Sequence, residues 1–334
     1  TGQCRHLANQ AAPDNQYIIF IFHRMELNMK TVGKQGLKLR HLGLQLRPEP
    51  PIPSLMKIKL ASWNINSVRL RIDQVIRFLE EQKPDILGLQ EIKCQEEQFP
   101  FEAFKEAGYP YIEVSGQKGY HGAATVSRLP MERLPTSFCP LDHARHVSTR
   151  VIAKGENCDQ DFEFHNFYIP AGGDIADPEI NDKFRHKLDF LETMRVYFTE
   201  RFAKGDNQQV LVGDFNIAPH ENDVWNHKQL LKVVSHTPME VETLATLQAT
   251  HDFTDTARLF RDDDEKLYSW WSYRARDVMK SNRGRRLDHI WVSPALKPCV
   301  EAVGREGYEI HTPCRIWEKP SDHVPITQVM DLTD

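Results

Sequence analysis

Apolar positions along this chain switch repeatedly between a period of two and a period near 3.6, and each switch falls at a Gly, a Pro or an abrupt polar residue. Lys57–Trp63 alternates as a strand and stops at Asn64-Ile65-Asn66-Ser67, whose last residues suit a helix cap. Val68, Ile72, Val75, Ile76 and Leu79 then recur at helical spacing until Pro84 ends the run. Asp85–Gln90 reads as a second apolar strand broken by Glu91. Strand, helix and strand over this length predict an α/β unit.

Further strands are expected at Tyr111–Val114, Ala123–Val126, Val147–Ile152 and Phe162–Phe167, with turns short enough for antiparallel pairing. Phe184, Leu188, Leu191, Phe198 and Phe202 mark one long amphipathic helix, and the valine-rich run Gln209–Val212 ends abruptly in Gly213-Asp214-Phe215-Asn216. Helical segments near Val241–Ala249 and Phe253–Phe260 follow, then Tyr268–Tyr273, Leu287–Val292 and a last segment near Ser321–Thr327. With no repeat and no linker after residue 55, residues 56–334 read as one domain.

Residues 1–55 have poor periodicity and end in the stiff break Pro48-Glu49-Pro50-Pro51-Ile52-Pro53. They read as an extension, either disordered or upstream of a start at Met56. They carry seven Lys/Arg against three Asp/Glu, which leaves residues 56–334 at −9 of a total −5. An acidic body needs local basic patches to hold nucleic acid, and it suits a site that gathers divalent cations. The longest conspicuous apolar run, Tyr17–Phe22, is too short to span a bilayer, so no membrane partner is expected. Six cysteines without a C-x-x-C pair speak against a zinc ribbon and for reduced, cytoplasmic thiols.

Candidate chemistry sits at the strand ends. Asn64, Glu91, Tyr168 and Asp214 with Asn216 each close a strand, Asp288 opens another, and Asp322-His323 lies near the last. Any one of them reads as a turn cap or a surface acid. Six together imply that the strand ends share one mouth. Carboxylates and amides without a Cys/His cluster suit a hard ion such as Mg²⁺ or Mn²⁺, with Glu91 as its anchor. Phosphodiester hydrolysis needs a base, charge stabilisation and help for the leaving group. Asp214 suits the base, Asn216 and His323 the phosphate ligands, and Asp288 the partner that holds His323. A second signal is Tyr268-Ser269-Trp270-Trp271-Ser272-Tyr273-Arg274, continued by Arg276, Lys280, Arg283, Arg285 and Arg286. Cations neutralise phosphates and aromatics stack on or wedge between bases, so this reads as a nucleic-acid contact loop, with one tryptophan in the core and the other reaching the substrate.

Leu89-Gln90-Glu91, Gly213-Asp214-Phe215-Asn216, Arg283-Gly284-Arg285-Arg286-Leu287-Asp288-His289 and Ser321-Asp322-His323 resemble the exonuclease III type of apurinic/apyrimidinic endonuclease, within the endonuclease/exonuclease/phosphatase superfamily. Trp63-Asn64-Ile65-Asn66, Asn166-Phe167-Tyr168 and Ser269-Trp270-Trp271-Ser272-Tyr273-Arg274 match as well, so the likeness runs from about Met56 to Leu332. It implies an α/β four-layered sandwich, two packed mixed sheets flanked by helices. It also implies a Mg²⁺-dependent monomer, able to use Mn²⁺, that cuts double-stranded DNA 5′ to abasic sites and clears blocked 3′ ends. By position, Glu91 and Asn64 hold the metal, with Asp214, Asn216, Asp322 and His323 around it. Asp214 activates water, Asn216 and Tyr168 meet the phosphate or leaving group, and Asp288 with His323 stabilises the transition state. Trp270, Arg274, Arg283 and Arg286 contact DNA. The runners-up, an inositol-phosphate phosphatase or sphingomyelinase and a catalytically silent DNA-binding module, leave the tryptophan and arginine loop or the intact polar set unexplained.

Overall fold

The computed structural model describes residues 57–135, 139–154, 159–201, 207–274 and 278–332, so the expected extension 1–55 and Phe202 lie outside the described residues. Its strands are β1 (Lys57–Asn64), β2 (Ile86–Gln90), β3 (Tyr111–Ser115), β4 (Ala123–Ser127), β5 (Met131–Arg133), β6 (His146–Lys154), β7 (Asp159–Tyr168), β8 (Gln209–Asp214), β9 (Thr254–Asp255), β10 (Trp270–Trp271), β11 (Gly284–Arg285), β12 (Asp288–Val292), β13 (Tyr308–Ile310) and β14 (Ile326–Asp331). They form two six-stranded mixed sheets, in the orders β13-β14-β1-β2-β4-β3 and β5-β6-β7-β8-β12-β9, and β10-β11 makes a separate ribbon. Each sheet contains one parallel pair, β1 with β2 and β7 with β8, among antiparallel neighbours.

Side-chain alternation separates the layers. Ile58, Leu60, Ile86, Phe162, Phe164, Val210, Val212, Ile290 and Val292 face each other between the sheets. Intervening residues of β1 and β2, among them Ala61, Trp63, Leu87 and Leu89, pack outward on Val75, Phe78 and Leu79 of helix Ile72–Gln82 and on Phe104 of helix Phe101–Glu106. Those of the other sheet, Phe167, Leu211 and Trp291, pack on Phe190, Leu191, Met194 and Phe198 of helix Asp182–Arg201 and on Leu244 and Leu247 of helix Pro238–Ala249. The result is the expected four-layered sandwich. Among the described residues, no helix is long and apolar enough to cross a membrane.

The inward face changes character along the strands. In β1 it reads Ile58, Leu60, Ser62, Asn64; in β2, Ile86, Gly88, Gln90; in β7, Phe162, Phe164, Asn166, Tyr168; in β8, Val210, Val212, Asp214. β12 runs the other way, from Asp288 to Ile290 and Val292, and pairs Asp288 with Asp214. One end of the inter-sheet layer is therefore hydrocarbon and the other polar. Asn166 ties the sheets at the boundary, donating to the carbonyls of Leu89 (3.1 Å) and Ala124 (2.9 Å) and accepting from Gln90 (2.7 Å).

Two local expectations are corrected. Ser67 does not cap the first helix: it lies in the left-handed region (φ 86°), and Arg71 occupies the cap position without a side-chain cap bond. Phe253–Phe260 contains no helix; Thr254–Asp255 adds an edge strand to β12, because sheet pairing outweighs an apolar spacing that also fits a helix.

Candidate active site

The polar strand ends form one network. Asn64, fully buried at the end of β1, donates to Asp214 Oδ2 at 2.8 Å and to Glu91 Oε1 at 3.2 Å. Tyr168, at the end of β7, donates its hydroxyl to the same Glu91 oxygen at 2.7 Å. Glu91 Oε2 meets the ammonium of Lys93 at 2.9 Å, and Lys93 also donates to Asn66 Oδ1 at 2.6 Å. Asp214 is 1% exposed and accepts from the Asn216 backbone (2.9 Å) and side chain (3.0 Å). The loops that turn these residues inward are conformationally costly. Asn66, Ser67, Glu91, Lys93 and Asn216 all adopt left-handed backbone at φ between 48° and 86°, a clustering that accompanies functional sites. Gly213 is required just before the acid: at φ 144° a Cβ there would lie 1.9 Å from the Phe167 carbonyl oxygen.

His323 stands across from Asp214. Its Nδ1 is 2.9 Å from Asp288 Oδ2, and its Nε2 is 3.7 Å from Asp214 Oδ2. Ser269 donates to the same Asp288 oxygen at 2.6 Å and accepts from the Leu287 and Asp288 backbone, which fixes the carboxylate. Burial alone depresses the imidazole's pKa, but Asp288 and then Asp214 outweigh it and push His323 up to about 10. Burial pushes Asp214 up to about 7 against the pull of His323. Glu91 moves the other way: burial raises it, and the Lys93 charge with the Tyr168 and Asn64 hydrogen bonds brings it below the ordinary glutamate value. The Tyr168 hydroxyl is held well above its ordinary pKa by burial and by Glu91, so it stays a neutral donor.

A cavity of about 1080 Å³ is lined by Glu91, Asp214, Asn216, Asp322 and His323 together with Trp270, Arg274 and Arg283. Trp270 donates its indole N–H to Asp322 Oδ2 at 3.0 Å, and Asn66 donates to Asp322 Oδ1 at 3.0 Å. Trp271 is 3% exposed and packs in the core, so the tryptophan pair divides as the alternation expects. Arg283 lies over the Trp225 ring at 4.7 Å. Arg286 is placed otherwise than as a DNA contact. It is fully buried, its guanidinium engaged by Asp223 (2.9 and 2.8 Å) and Asp255 (3.1 and 2.7 Å). With no exposed surface, it works as an internal tie between loops and β9.

The donor set fits a hard cation. Carboxylate and amide oxygens dominate it, and Asp288 Oδ1 is a buried acceptor with no hydrogen-bond partner. The Lys93 ammonium, bridging Glu91 and Asn66, stands where positive charge is wanted. Asp214, Asp288 and His323 also lie within 4.8 Å of one another, but the imidazole is already committed to both acids, so Glu91 is the better anchor. Lys93 and Trp225 were not among the residues singled out from sequence; Lys93 sits two positions after Glu91, a spacing that carries no signal by itself.

Residues 61–323 match the Endonuclease/Exonuclease/phosphatase family. The chain belongs to that family, in its exodeoxyribonuclease III branch. It is 33% identical over 283 residues to exodeoxyribonuclease III of Haemophilus influenzae, covering 80% of this chain and 98% of that protein. Its fold is similar to that of an AP endonuclease from Archaeoglobus fulgidus, with TM-score 0.70, 30% identity, and coverage of 82% and 99% of the two chains. A 3′ phosphatase, NExo, from Neisseria bound to a product DNA hairpin is similar at TM-score 0.69 and 28% identity, over 82% of this chain and 99% of that one. The family member described here is thus a nuclease-type, metal-dependent hydrolase, with the two-sheet architecture of its relatives.

Proposed function

We propose that the protein is a DNA repair nuclease that hydrolyses the phosphodiester 5′ to abasic sites in duplex DNA and removes nucleotides or blocking groups from 3′ ends. One observation carries this reading: a single cavity joins the hydrolytic set Glu91, Asp214, Asn216 and His323 to the stacking and phosphate-neutralising residues Trp270, Arg274 and Arg283. A pocket for a small soluble phosphoester needs no tryptophan at its rim, whereas an extrahelical sugar does.

Glu91, with Asn64 beside it, is the residue to hold Mg²⁺ or Mn²⁺, and Asp322 completes the acidic rim. When bound, such an ion polarises phosphate oxygens and offsets charge in the transition state. The protein side of the reaction follows from the hydrogen bonds. Asp214, oriented by Asn64 and Asn216, takes the proton of the attacking water. His323, held protonated by Asp288, donates to a phosphate oxygen as charge builds there. Asn216 positions the phosphate, and Tyr168 keeps a neutral hydroxyl close to the leaving side. Cys94, Cys139 and Cys314 are free thiols, which supports a cytoplasmic placement.

Incubation of the full chain with an abasic duplex, in Mg²⁺ or in chelator, tests the reading. Metal-dependent incision 5′ to the lesion is expected, and its absence under both conditions would overturn the assignment. Asp214→Asn should lower turnover by about 10³-fold while abasic-DNA affinity persists, since its role is toward water.

A further inference from the structure

A second cavity, of about 440 Å³, shares Ala171 and Gly173 with the first and has Tyr168 in its wall. Cys139, His143 and His186 meet beside it, each bringing a ligand atom to within 4.8 Å of the others. Local structure explains how. The Asp142 N–H donates to the Cys139 carbonyl at 2.9 Å and Asp142 turns at φ 53°, which brings His143 back toward the same side as Cys139. His186 comes from helix Asp182–Arg201, and its ring meets that of His143 edge to face at 5.4 Å. His121 stacks on the other imidazole at 4.7 Å.

Hydrogen bonding makes the cluster unusual. His143 Nδ1 and His186 Nε2 are buried and have no partner, and Cys139 is a free thiol. Each unpartnered polar atom costs about 1–3 kcal/mol, so two on adjoining rings call for a ligand. Burial, followed by the Arg145 charge, lowers the pKa of both imidazoles, His186 to about 4, so both keep a lone pair at neutral pH.

We propose that Cys139, His143 and His186 form a second metal site, for a borderline cation of the zinc class, separate from the oxygen-lined site at Glu91. One thiolate and two imidazoles are a zinc-type donor set, and Mg²⁺ has little affinity for it. Bond lengths of about 2.3 Å to sulfur and 2.0 Å to nitrogen place tetrahedral ligand atoms roughly 3.3–3.5 Å apart, and the three ligand atoms already lie within 4.8 Å of one another. The fourth position is left to water or to a ligand in the cavity. Binding releases the Cys139 thiol proton to solvent and leaves the metal's oxidation state unchanged. Arg145, bonded to the Tyr168 carbonyl (3.2 Å) and His121 Nδ1 (2.8 Å), opposes a dication, and the thiolate charge answers it.

The test uses the full chain, stripped with chelator, dialysed and titrated with Co²⁺ and Zn²⁺ in saturating Mg²⁺. One equivalent of Co²⁺ should bind with a thiolate-to-cobalt charge-transfer band and tetrahedral d–d absorption, and Zn²⁺ should displace it. Cys139→Ser should abolish that band and weaken Zn²⁺ binding by about 100-fold, His186→Gln should weaken it comparably, and Cys299→Ser should leave both unchanged. Thermal unfolding of the metal-free variants verifies that each is folded. Cobalt bound without a thiolate band would overturn the proposal. So would zinc binding that survives Cys139→Ser and His186→Gln but is lost in Glu91→Ala.

Discussion

Lys93 places an ammonium against Glu91 and Asn66, so any cation at Glu91 must first displace it. The ion pair is partly exposed, which limits its worth to about 1 kcal/mol. Lys93→Ala should therefore tighten Mg²⁺ binding by about fivefold in direct titration calorimetry. Arg286 shows the opposite situation, a cation wholly enclosed by acids. Burial raises the Asp223 pKa, but Arg286 and Arg258 more than reverse this and bring it down to about 2. A carboxyl depressed in the folded state stabilises it above the unfolded pKa near 4, and that contribution disappears as pH falls from about 4 through 2. It amounts to about 2 kcal/mol. Arg286→Met should cost about 3–5 kcal/mol at neutral pH, with a deficit that shrinks below pH 4 as Asp223 protonates. Urea unfolding across pH measures both, and DNA affinity below the unfolding range should be nearly unaltered. Glu91 and Asp214 were legible in sequence because an acid stood at the end of an apolar run, and His323 because Asp322-His323 stood beside the last segment. Arg286 was not, since a run of six basic residues does not show which one turns inward. Cys139, His143 and His186 belong to a loop and a helix that meet only in the folded chain, so no spacing announced them.

At the level of elements, period-two alternation did most of the predictive work. It resolves the Trp270-Trp271 pair into a core residue and a cavity residue, because adjacent positions of a strand face opposite ways. Trp271 also donates to Asn282 Oδ1 at 3.1 Å, and its removal leaves a large void. Trp271→Ala should lower stability by about 3–5 kcal/mol, whereas Trp270→Ala should leave the unfolding midpoint within a few degrees and weaken abasic-duplex binding by about tenfold. Fluorescence anisotropy with labelled duplex, run beside thermal unfolding, separates the two. A reversal of the pattern would exchange their assignments. Alternation failed where strands were very short: β9 has two residues and β13 has three, too few to show a period. Their pairing with β12 and β14 is a tertiary fact.

The proposed catalytic set exists only while the two sheets stay in register. Asn64 and Glu91 come from one sheet, and Tyr168, Asp214 and Asp288 from the other, so the Asn64–Asp214 and Tyr168–Glu91 hydrogen bonds cross the inter-sheet layer. Gly88 faces Asn166 and Val212 of the other sheet at close range. A Cβ there would lie 3.0 Å from both Asn166 Cγ and Val212 Cγ2, closer than nearly all real contacts. Asn166 has little freedom to retreat, since it is bonded to Leu89, Ala124 and Gln90. Gly88→Ala should therefore push the sheets apart by a few tenths of an ångström at their polar end. Overpacking of this kind costs about 1–3 kcal/mol, and the displaced geometry should lower the incision rate by at least about tenfold in protein that is still fully folded. Ile58→Val, at the hydrocarbon end of the same layer, should cost about 1 kcal/mol and leave the rate unchanged. Single-turnover incision measured well below both midpoints makes the comparison. If Ile58→Val slowed the reaction as much as Gly88→Ala, general loosening of the sandwich, rather than register at its polar end, would be what the rate follows.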